Sequence, residues 1–242
     1  MRAHTKTTWM AAALGMAACA ACSAQAGILM FNLGSGITLP DDESGGVVNV
    51  QTTTGLPTSV QELRVRLQLE GVGAGGMWNG DIYATLTYQP TATADPTAYT
   101  VLLNRPGWDA DHPDAFPGYA DNGMNVSLGV TGPDIHIYQT VQTPALGSAL
   151  TGSWSADGRD EDPFLVTNGT ARTAGLGAFQ GLNLNGVWTL YVEDTVAGAQ
   201  GKLKGWGLEW TPVTPVPEPA SLAGIAGLAL LGWGCLRTRR CL

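Results

Sequence analysis

In the later half of residues 60–69 apolar and polar side chains alternate strictly, with Leu63, Val65, Leu67 and Leu69 interleaved by Arg64, Arg66 and Gln68. A period of two places the four apolar side chains on one face of a strand and the polar ones on the other; a helix would scatter them. Ile82, Ala84, Leu86 and Tyr88 repeat the pattern. Residues 47–52, 99–103, 126–130, 135–138, 187–193 and 203–210 also read as strands. Turn residues separate them, and no stretch between them carries an apolar stripe of helical period. Short strands punctuated by turns predict an all-β fold, an antiparallel β-sandwich rather than a βαβ arrangement. Residues 71–80 form a glycine-rich connection. Residues 109–122 and 156–173 form two longer loops, of the length that is usually functional or mobile in a compact domain.

The two ends of the chain stand apart from this pattern. Arg2 and Lys6 precede an apolar Ala/Met/Leu stretch that closes on Ala24-Gln25-Ala26. A positive start, an apolar middle and an Ala-x-Ala exit predict an N-terminal signal peptide over 1–26, with Gly27 as the mature N-terminus. Lipoprotein processing at Cys19 or Cys22 is the alternative. All four cysteines, Cys19, Cys22, Cys235 and Cys241, lie in the end segments. The body therefore has no disulfide and must rely on its own core, which roughly 190 residues suffice to build. The chain carries 12 basic and 20 acidic side chains, a net −8. Without Arg2, Lys6, Arg237, Arg239, Arg240 and Glu218 the body keeps 7 basic and 19 acidic, a net −12. Such a body repels phosphate backbones, so no nucleic-acid partner is expected.

A proline-punctuated linker, 213–219, leads into an apolar run that reaches about 17 residues, the lower limit for a short C-terminal transmembrane helix. Arginines after it would be held on the cytoplasmic side of the inner membrane, leaving the body outside. Val216-Pro217-Glu218-Pro219, the short helix over 220–242 and the cluster Arg237, Arg239 and Arg240 together resemble a PEP-CTERM sorting tail. That resemblance implies a Gram-negative bacterium that makes extracellular polysaccharide. It also implies processing by a membrane exosortase near Pro-Glu-Pro, so that the protein is first anchored by its tail and then placed at the cell surface or outside the cell. Glu218 is then a recognition residue for that enzyme.

A second resemblance lies in the body. Asn185-Gly186-Val187-Trp188-Thr189-Leu190, Val192-Glu193-Asp194 and Gly201-Lys202-Leu203 with Trp206-Gly207-Leu208 are similar to the end of the P/Homo B domain that accompanies subtilisin-like proprotein convertases. Gly80-Asp81-Ile82, the segment from Val101 through Arg105 to Gly107, and Tyr119-Ala120-Asp121 resemble earlier pieces of it. The resemblance implies a jelly-roll β-sandwich of galactose-binding-like type over 59–212, preceded by N-terminal strands over 27–58. Trp188 and Trp206 read as core, Asn185-Gly186 as a tight turn, and Asp194 as a carboxylate bonded to backbone. The family's usual protease domain has no counterpart in this chain.

Candidate chemistry is sparse. His112 and His136 are the only histidines of the body, and neither stands in a Gly-x-Ser-x-Gly or His-Glu-x-x-His motif. A strand over 135–138 would let His136 face solvent, and nothing brings either histidine to Ser127 or Ser148. Two acidic loops, one with Asp109, Asp111 and Asp114 and the other with Asp157, Asp160 and Asp162, hold the carboxylate oxygens that calcium prefers, without EF-hand spacing. Solvated acidic loops are the structural alternative. Asp81 and Asp121 are secondary candidates. Trp78, Trp108, Tyr119 and Trp154 lie in or near loops and could stack on carbohydrate. The expectation is a non-enzymatic surface or matrix protein that binds exopolysaccharide, a surface protein or calcium. The alternatives are an accessory P domain acting with a separate subtilisin-like protease and a cryptic hydrolase.

Overall fold

The computed structural model describes residues 25–41, 45–73, 75–91, 97–145 and 147–213. The expected signal peptide through residue 24, and the expected sorting tail with Val216, Pro217, Glu218, Pro219, Arg237, Arg239 and Arg240, lie outside the described residues. Nine strands follow in order: β1 Gly27–Thr38, β2 Val47–Thr52, β3 Val60–Gly71, β4 Ile82–Pro90, β5 Ala98–Asn104, β6 Met124–Asp134, β7 Leu150–Ser155, β8 Gly186–Asp194 and β9 Gly201–Pro212. They form two sheets, in the orders β1-β9-β3-β6-β7 and β2-β8-β4-β5. The fold is an all-β sandwich. β6 and β7 run parallel, while the other paired strands are antiparallel.

The alternation read from the sequence sets the register. Leu63, Val65, Leu67 and Leu69 of β3 face inward and are buried. Ile82, Ala84, Leu86 and Tyr88 of β4 join them in one core cluster with Trp188 and Trp206, both fully buried. The Trp188 ring lies 4.4 Å from Tyr88 and 5.8 Å from Phe179. On the outer face Arg64 donates to the Ser127 hydroxyl at 2.9 Å, and Arg66 lies 3.6 Å from Glu209. Both N-terminal strands belong to this sandwich, since β1 pairs with β9 and β2 with β8.

Burying Trp188 with its indole N–H unpaired would be costly, and the fold supplies partners. Nε1 donates to the Thr53 hydroxyl at 3.0 Å and to the Leu184 carbonyl at 3.2 Å. The same hydroxyl accepts the Gly186 N–H at 3.2 Å and donates to the Leu184 carbonyl. Thr53 thus ties the end of β2 to the start of β8. Thr53→Val keeps the shape, takes this acceptor from the buried Gly186 N–H and leaves Trp188 Nε1 only the longer bond to the Leu184 carbonyl, so denaturant titration of the full chain should show a loss of about 1–3 kcal/mol. A loss below a few tenths would mean that water replaces the hydroxyl.

Three local expectations are corrected. Residues 135–138 are not a strand but part of a 3-10 helix, Ile135–Thr140. Asp134 caps it by accepting the His136 N–H at 3.0 Å, and three-residue spacing buries Ile135 and Tyr138 together. Four residues of alternation cannot separate that from a strand. His136 is consequently buried rather than solvent-facing. Trp154 lies within β7, almost wholly buried, and not in a loop. In addition, Asn185 clasps Leu56 from both sides: its Nδ2 donates to the Leu56 carbonyl and its Oδ1 accepts the Leu56 N–H, each at 2.7 Å.

Candidate functional site

The strongest candidate lies at the pole of the sandwich where β4 and β9 begin. A 3-10 turn, Asn79–Asp81, precedes β4. Asn79 holds this turn to Gly123, donating to its carbonyl at 3.1 Å and accepting its N–H at 3.0 Å. Gly80 then meets the loop after β5 backbone to backbone, donating its N–H to the Tyr119 carbonyl at 2.9 Å. A Cβ at position 80 would sit 2.4 Å from the Tyr119 nitrogen, so only glycine permits the approach. Thr195, just past β8, donates both its N–H and its hydroxyl to the Asp81 carbonyl at 2.8 Å. Three chain segments therefore converge on Asp81.

Arg105 closes the arrangement. It follows β5 with φ 48°, a left-handed conformation that costs a side-chain-bearing residue about 1–2 kcal/mol. Its N–H donates to the Ile82 carbonyl at 2.9 Å and its Nε to the Gly80 carbonyl at 3.2 Å. The guanidinium lies 4.1 Å over the Trp108 ring and 4.9 Å from the Phe164 ring. Together Trp78, Asp81, Arg105, Trp108, Pro117 and residues 196–199 line an open cavity of about 470 Å³. Its size falls in the range of small-ligand sites. Trp78 stands 42% exposed at the mouth.

The charges of this pole are unequally satisfied. Asp81 is only 3% exposed, yet its carboxylate makes no hydrogen bond to any described residue. Burial pushes its pKa up to about 6; the Arg105 charge counters this and Asp41 adds to it. Asp194 lies fully buried at the end of β8, with Oδ2 accepting the Gly201 N–H at 3.3 Å and Oδ1 unpartnered. Burial, followed by the charge of Asp81, pushes it up to about 7. Burial also lowers Arg105, and Asp81 partly offsets this.

A second polar cluster fixes the two long loops beside the cavity. Buried Asp157 accepts from His136 Nδ1 at 2.9 Å, from Arg159 Nη1 at 3.0 Å and from the Asn104 N–H at 3.1 Å. His136 Nε2 faces the Trp108 carbonyl at 3.0 Å, which can only accept, so that nitrogen carries hydrogen. Arg159 also donates to Asp134 at 2.8 Å. Burial alone would raise Asp134, but Arg159 outweighs it and holds the carboxyl below its usual range. Asp109, 6% exposed, accepts from Asn168 at 2.9 Å and the Asp111 N–H at 3.2 Å, and sits 3.4 Å from His112 Nδ1. Burial works to raise Asp109, while these donors outweigh it and lower it.

The acidic candidates therefore divide. Asp109 and Asp157 turn inward as hydrogen-bond hubs, whereas Asp111, Asp114, Asp160 and Asp162 are exposed. Asp160 accepts from Tyr99 at 3.2 Å and Asp162 from the Phe164 N–H at 2.8 Å. Among the described residues no group of three or more His, Cys, Asp or Glu is placed to hold a metal ion. Asp121 is occupied by Tyr138 and Gln139, both at 2.7 Å. Neither histidine contacts Ser127 or Ser148; Ser127 is held by Arg64 and Glu209. Of the aromatic candidates, Trp78 and Trp108 meet in the cavity, and Tyr119 packs on Tyr138 in a neighbouring hollow behind Pro117. Sequence reasoning gives Arg105 no binding role and makes Asp194 a backbone-bonding carboxylate. Their meeting with Asp81 depends on strand pairing, which no local pattern encodes.

No family model, curated protein or solved structure matches the chain.

Proposed function

We propose that this chain is an exported, tail-sorted surface protein whose sandwich is a non-enzymatic binding module for exopolysaccharide. The observation that carries the binding half is the cavity where Trp78 and Trp108 stand beside an unbonded, buried Asp81. Aromatic faces stack on the apolar faces of sugar rings, and a few convergent polar groups fix orientation. One carboxyl faces the cavity, while Asp194 is sealed behind it. Glycoside hydrolysis by paired carboxyls requires both to reach the scissile bond, so the arrangement favours binding over cleavage.

The tail half of the proposal rests on Pro217-Glu218-Pro219, the apolar run and the Arg237, Arg239 and Arg240 cluster, under which an exosortase is the processing partner. The jelly-roll, P-domain-like reading of the sandwich belongs here too. It draws support from the five-on-four sheet arrangement and from Trp188 and Trp206 in the core. Asp111, Asp114, Asp160 and Asp162 are the exposed carboxylates on which calcium would be taken up.

Two measurements test the proposal. The full chain, purified in detergent, should be retained by immobilised exopolysaccharide from an exosortase-bearing Gram-negative host. Trp78→Ala should weaken that retention roughly tenfold, the value of one exposed aromatic stack. Equal retention of the wild type by underivatised resin would sink the binding reading. In the same host, mass spectrometry should find the C-terminus trimmed near Pro217, and Glu218→Ala should leave the tail intact.

A further inference from the structure

The cavity's charge pattern specifies the ligand further. Among the described residues Asp81 is an acceptor without a donor: the residue is 3% exposed, it lines the cavity, and no described side chain or backbone group bonds to its carboxylate. Arg105, the cation that lines the cavity, does not fill that role. Arg105 spends Nε on the Gly80 carbonyl, covers its faces with Trp108 and Phe164, and forms no ion pair within 4.0 Å of Asp81. Asp41 adds its field at Asp81, and Asp81 and Asp41 add theirs at the buried Asp194, so carboxyls outnumber the guanidinium at this pole. The body around them is net acidic. An ionised carboxylate left buried and unbonded is costly, and a ligand that brings a charged donor removes the cost. The walls suit the same ligand: Trp78 and Trp108 line the cavity, Trp108 already holds the Arg105 guanidinium over its ring, and the exposed Trp78 ring is the aromatic left to attract a second cation.

We infer that the cavity takes a glycan segment bearing a free amino group, whose ammonium is bonded by Asp81 beside the Trp78 ring. This rests on the sugar-binding reading above and narrows it. A uronate or phosphate substituent meets the same carboxyls as repulsion and is rejected. An N-acetylated residue lacks the charge and leaves Asp81 without a strong donor.

The test is calorimetric titration of the detergent-purified full chain with three probes: a β-1,4-linked glucosamine tetramer, its fully N-acetylated counterpart and a galacturonate tetramer. The amino probe should bind roughly tenfold to a hundredfold more tightly than the acetylated one, and the acidic probe least. Asp81→Asn removes the charge without burying a new one. It should erase the amino preference while leaving acetylated binding within about twofold. Below pH 6 the wild type should lose the same preference as Asp81 takes up its proton. Acetylated binding that equals or exceeds amino binding, abolished by Trp78→Ala, overturns this inference and leaves the sugar-binding reading standing. No heat with any probe, and no retention on exopolysaccharide, overturns both.

Discussion

Asp157→Ala should lower stability by about 3–5 kcal/mol, the usual cost of removing one partner from a buried ion pair. The reason is what remains after truncation. His136, fully buried, loses the acceptor of its Nδ1; Arg159 keeps Asp134 and the Asn168 carbonyl but loses one carboxylate; the Asn104 N–H loses its side-chain acceptor. The cavity formed is small beside these electrostatic losses. Asp157 joins residues from the end of β5, the helix after β6 and the loop after β7, so its loss should also loosen residues 156–173. Denaturant titration measures the first effect, and limited proteolysis of that loop the second. Asp157→Asn keeps one acceptor and should cost less than the alanine variant. A loss under 1 kcal/mol for Asp157→Ala would show that the loop is held by Arg172, which bonds the Asp157 carbonyl at 2.7 Å independently of the side chain.

Asp194→Asn has the opposite sign. A carboxyl whose pKa is raised on folding keeps its proton where the unfolded chain has already lost it. Its contribution to stability is therefore most favourable below the ordinary aspartate value of about 3.9 and declines as pH rises towards about 7. Above that, the folded protein holds a buried charge with one unpartnered oxygen. The amide retains an acceptor for the Gly201 N–H and carries no charge. Stability should rise by on the order of 3 kcal/mol at pH 8 and change little at pH 4. Urea titrations at the two pH values decide it, and a gain of equal size at both would refute the electrostatic cause. Asp81 shares this titration, so the wild-type profile reports the pair and not one residue.

What the sequence disclosed follows the length of each pattern. In β3 and β4 the alternation persists long enough to exclude a helix, and both place their apolar faces in the core as read. β7 escaped because Leu150 and Trp154 are its only large apolar residues, separated by Thr151, Gly152 and Ser153. The segment after β6 escaped because an aspartate cap and three-residue burial imitate a strand over four positions. Trp78, Trp108 and Asp81 were legible singly, as loop aromatics and a carboxylate at a strand start. Their assembly with Arg105 and Asp194 was not, because Asp81 and Asp194 meet only through the pairing of Ile82 with Asp194 in the β4–β8 register. Asp109 and Asp157 shared the composition of a cation-binding loop, but neighbouring donors claimed their oxygens and turned them inward.

β9 begins beside the cavity at Gly201 and ends at Pro212, next to the point where Gly27 pairs with Trp210. At about 3.3 Å per residue, roughly 36 Å separates the cavity pole from the end of β9 that leads towards the tail. A tether at one pole and a polymer at the other would draw tension along this single strand. β9 is flanked by β1 and β3, so both rows of its hydrogen bonds would be loaded at once, in shear, and none could be unzipped singly. Under such a load the sandwich would act as a tie as well as a receptor. Pulling between residue 198 and the C-terminus should demand more force than pulling the same domain across its strands.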